Sequence, residues 1–178
     1  MFGFGKRDCR KDELFMSTSR IIDDVTTKDQ KEKMLAGSNM IGMQSTLAFN
    51  LLRNNDATSQ LSDDEFKFFL IIVMQGMNDG LFENIDVNDE IKSISLAFLL
   101  ADGYKNFANQ FNYYLEDVLS IFEKISNIAS EEWVQQVFLE GRKAWNIIAE
   151  NTGDMMPIGD VFENEELVLK VKNSYWWK

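Results

Sequence analysis

Ser62–Gly80 reads SDDEFKFFLIIVMQGMNDG, and the reading of this stretch decides the fold. Phe68 to Met74 is the longest unbroken apolar run in the chain. Phe, Ile and Val favour a strand, and periodicity cannot separate a buried strand from a buried helix over so short a run. The ends separate them. Ser62 followed by Glu65 forms a capping box, in which the hydroxyl accepts from the Glu65 N–H and the carboxylate accepts from the Ser62 N–H. Asp63, Asp64 and Glu65 suit the positive end of a helix dipole. Gly80 supplies a stop, because glycine adopts the left-handed conformation without penalty. The stretch therefore predicts a helix over Asp63–Asp79, about 25 Å long at ~1.5 Å per residue. It is apolar nearly all round, so the rest of the chain should pack around it. The expected fold is all-α: a compact bundle of about six helices around this one, as for a single-domain chain of this length.

The chain has 178 residues, 45% of them hydrophobic, enough for a substantial core. Residues 1–11 hold Lys6, Arg7, Arg10 and Lys11 with glycines at 3 and 5, and are expected to form a flexible basic arm. Residues 12–178 are expected to form one helical domain. No stretch approaches the roughly 20 apolar residues of a membrane span. The first residues carry charge but no apolar signal segment, so a cytoplasmic location is expected. Cys9 is alone and can make no intrachain disulfide.

Histidine is absent. That removes Ser-His-Asp catalysis, the usual zinc sites and the commonest general base near neutral pH. No glycine-rich phosphate loop follows a strand. Glu83-x-x-Asp86 occurs without the second carboxylate pair that would hold Mg²⁺ with it. A non-enzymatic protein without a cofactor is expected.

Further helices read from their patterns. Thr26 or Thr27 can cap a helix running to about Arg53, with Asp29 in its first turn. Met34, Ile41, Ala48 and Leu52 share its apolar face, joined by Leu35 and Phe49. Gly37 and Gly42 invite a close crossing with the central helix. Asn88 can cap a helix at Asp89, and Ile91–Ala101 is strongly apolar. Phe107, Phe111, Tyr114, Leu115, Val118, Leu119, Phe122 and Ile125 follow an amphipathic spacing. Ser130 opens a helix whose face is Trp133, Val134, Val137, Phe138, Ala144, Trp145 and Ile148, with Gly141 permitting close contact. Asp160 and Glu163 open a short acidic segment. Residues 167–177 fit a strand by their Val/Lys alternation and a helix by the preceding ENEEL.

The linker Asn54–Glu65 resembles an EF-hand loop. Asn54, Asp56, Thr58, Ser62 and Glu65 fall at loop positions 1, 3, 5, 9 and 12, with Leu61 at the apolar position 8. Asn54, Asp56, Thr58 and Glu65 are therefore the candidate metal ligands. Position 6, where the family has glycine, is Ser59, and position 1 is asparagine. The same residues also read as a polar linker ending in a capping box.

The net charge is −11, which opposes direct nucleic-acid binding. Residues 1–33 carry +1, residues 34–178 carry −12, and Asp56–Glu90 alone carries −8. Clustered acids speed encounter with a positive partner. The composition fits an acidic protein-binding domain, an inhibitor or immunity-type protein that neutralises a basic nucleic-acid-acting enzyme or toxin. The expected contact residues are Asp56, Asp63, Asp64, Asp79, Glu83, Asp86, Asp89 and Glu90. Tyr175, Trp176 and Trp177 could anchor an interface or plug the bundle. One alternative is a homo-oligomeric structural or adaptor protein. Another is a divalent-cation binder using the 54–65 loop. The negative charge can also serve solubility alone.

Overall fold

The computed structural model describes residues 20–92, 94, 95, 115–150 and 157–174. It is an all-α multi-helix bundle, with no strand among the described residues. Residues 20–25 are helical. Helix α1 (Lys28–Leu52) follows, capped by a reciprocal Thr27–Gln30 box. A linker with one 3₁₀ turn (Thr58–Gln60) leads to α2 (Asp63–Leu81). After a second 3₁₀ turn (Phe82–Asn84), residues 89–92, 94 and 95 are helical, and Asn88 Oδ1 accepts from Ile91 N at 2.9 Å as the expected cap. Then come α3 (Leu115–Ile128), α4 (Glu132–Ala149), α5 (Gly159–Glu163) and α6 (Glu165–Asn173).

Helix α2 is the centre of the bundle. Its capping box forms as the sequence dictates: Ser62 Oγ accepts from Glu65 N at 3.2 Å, and Glu65 Oε2 accepts from Ser62 N at 2.6 Å. Phe68 to Met74 are all buried, and every residue from Phe69 to Met74 is fully so. Helix α4 covers much of α2, and α1 and α6 also pack on it.

Glycine sets the α2–α4 spacing. A Cβ at Gly76 would overlap the Phe138 carbonyl oxygen, and one at Gly141 would overlap the Val73 carbonyl oxygen. The two helices therefore meet backbone to backbone at reciprocal positions. The expectation for Gly141 holds. Gly80 differs from expectation: it lies within α2, which runs on to Leu81, and a Cβ there would sit 2.9 Å from Trp145 Cδ1. It is needed for a close approach, not for a left-handed stop. Gly37 of α1 meets the Leu81 side chain in the same way, which gives the expected α1–α2 crossing.

Other expectations shift. Leu35 is 61% exposed, so it lies off the buried face of α1, which runs through Met34, Ile41, Ala48 and Leu52. Helix α4 takes Glu131, not Ser130, as its N-cap residue. The Glu131 carboxylate accepts from Trp133 Nε1 at 2.5 Å. Residues 165–173 are helix, settling the strand-or-helix alternative there: Asn164 Oδ1 accepts from Leu167 N at 3.2 Å, and Leu167, Val168 and Val171 are buried. Phe162, in what reads as an acidic segment, is fully buried, with ring centroids 5.1 Å from Phe66 and 4.7 Å from Phe69. Phe49 adds an edge contact to Phe66 at 5.7 Å. The basic arm, most of the 91–125 apolar stretch and the 175–178 tail lie outside the described residues.

Candidate functional site

The fold divides the acidic residues into two groups. Asp56, Asp63, Asp64 and Glu65 lie at the N-terminal end of α2. Asp79, Glu83, Asp86, Asp89 and Glu90 lie at or beyond its C-terminal end. A helix of 19 residues is roughly 28 Å long. The Debye length at physiological salt is only about 8 Å. The two groups therefore act as separate patches.

Neighbouring cations engage half of the eight expected contact residues. Asp63 Oδ1 accepts from Arg53 Nε at 2.8 Å, and Asp89 pairs with Lys92 at 3.1 Å. Asp79 pairs with Arg142 of α4 at 3.3 Å, and the same guanidinium pairs with Glu83. The Arg142 fork thus ties the end of α2 and the turn after it to α4, beside the glycine contact at Gly141. Asp56, Asp64, Asp86 and Glu90 are exposed, and their carboxylates meet no cation among the described residues. They are the four open acids of the expected set. Nothing local in the sequence marks Arg142 as the partner of Asp79 and Glu83. The only hint is a lone arginine beside Gly141 on an otherwise apolar helical face.

The EF-hand-like linker is arranged around a cation that the chain supplies. Arg53 donates from Nη1 to the Thr58 carbonyl at 3.3 Å, from Nη2 to the Leu61 carbonyl at 2.8 Å, and from Nε to Asp63. Its guanidinium also lies over the Phe66 ring, 5.7 Å from the centroid. Thr58 is fully buried, and its hydroxyl donates to the Leu52 carbonyl. Asn55 Oδ1 accepts from Thr58 N at 2.7 Å. Glu65 is held in the capping box. Two of the four candidate ligands, Thr58 and Glu65, are thus engaged with backbone groups, while Asn54 and Asp56 are exposed. Among the described residues, no three acidic or cysteine side chains gather closely enough to hold a metal ion.

A shallow groove of about 690 Å³ runs between the α3–α4 turn and α6. Lys124, Glu131, Trp133, Glu166 and Lys170 line it with Leu169. It presents both signs of charge, and Ser174 also lines it. The expected anchors Tyr175, Trp176 and Trp177 lie outside the described residues. No helix among the described residues is long and apolar enough to cross a membrane. No family model, no curated protein and no solved structure matches the chain.

Proposed function

We propose that this chain is a non-enzymatic protein-binding domain that captures a basic protein through its acidic surface, as an inhibitor or immunity-type protein does. The observation that carries this reading is the exposure of Asp56, Asp64, Asp86 and Glu90 without a cation partner among the described residues, in a chain of net charge −11. Unpaired exposed carboxylates keep their full charge for a partner, and complementary fields raise association rates steeply at low salt. Asp79 and Glu83 take a different part: with Arg142 they fix the frame behind the second patch.

The test is capture of proteins from a lysate by the immobilised chain, in parallel with a variant carrying Asp56→Lys, Asp64→Lys, Asp86→Lys and Glu90→Lys. The native chain should retain a basic protein at low salt and release it at high salt. The variant should lose that protein while keeping its helical circular dichroism. Equal retention by both chains, or retention that salt does not weaken, would overturn the proposal.

A further inference from the structure

We draw no further inference here: the strongest candidate, the groove between the α3–α4 turn and α6 lined by Trp133, Leu169 and Lys170, presents both signs of charge, and nothing in the structure shows what covers it.

Discussion

Two glycines set how close the central helices can come. At Gly76 and Gly141 the atoms that a Cβ would strike are backbone carbonyl oxygens of the facing helix, and those cannot rotate aside. Alanine in place of glycine ordinarily favours a helix by ~1 kcal/mol. Here overpacking outweighs that gain. Gly76→Ala or Gly141→Ala should destabilise the protein by about 2–3 kcal/mol net, read as a lower urea midpoint. Gly37→Ala is the contrast, because the obstacle there is the flexible end of Leu81, which can change rotamer. Its cost should be under about 1.5 kcal/mol, as for a core change that repacks. Equal costs at all three sites would show that backbone contact is not what limits the spacing. The sequence marks Gly141 and Gly37 as small residues on apolar faces. Gly80 misleads, because Asp-Gly at a helix end suggests a stop, and only the distant Trp145 shows the true constraint.

The individual elements depend on caps and on one clamp. The boxes at Thr27–Gln30 and Ser62–Glu65 are both formed, and the second is legible from four consecutive letters. Ser62→Ala should cost about 1 kcal/mol, typical of a lost N-cap. The larger effect belongs to Arg53, which no local pattern reveals, because its partners are carbonyls brought together only when the linker folds. Arg53→Ala would leave the Leu61 carbonyl without the guanidinium donor, the Thr58 carbonyl with the Leu61 N–H alone, and Asp63 without its cation. We expect a loss of about 2–3 kcal/mol, in line with charge-assisted hydrogen bonds, and faster amide exchange confined at first to the 54–62 linker. Arg53→Lys should recover little of it, since an ammonium cannot reproduce the planar fork. Full recovery by lysine would mean that charge alone holds the linker. Phe162 was illegible for another reason. Helix α5 is only five residues long, too short for a periodic signal, so its one aromatic in the core shows no pattern. Phe162→Ala should cost about 3–5 kcal/mol.

At the scale of the whole molecule, the all-α architecture and its central helix follow from the apolar run and its cap. The acidic segments and their placement at the two ends of α2 are equally visible in the sequence, but their division into engaged and open residues is not. That division depends on Arg53 and Arg142, which reach their partners through a turn and helix packing, while of these pairs only Asp89–Lys92 is a local i,i+3 pair. Because Phe68 to Met74 are buried all round α2, the amides of this stretch should exchange only through global unfolding. Native-state hydrogen exchange should rank α2 and the facing turns of α4 as the slowest group. Faster exchange in α2 than in α1 would contradict this order.

The burial of α2 also bears on how the chain is made. Its uncharged run Phe68–Met74, without proline and rich in β-formers, has the composition of a segment that stacks with copies of itself when left in water. The helix that shields it, α4, begins about 50 residues after α2 ends, several seconds later at ~5–20 residues per second of synthesis. Through that interval Asp63, Asp64, Glu65 and Lys67 are the charges nearest the run, and they serve as its gatekeepers. A nascent chain halted before Glu132 should therefore go to the insoluble fraction, while one released after Asn173 stays in solution.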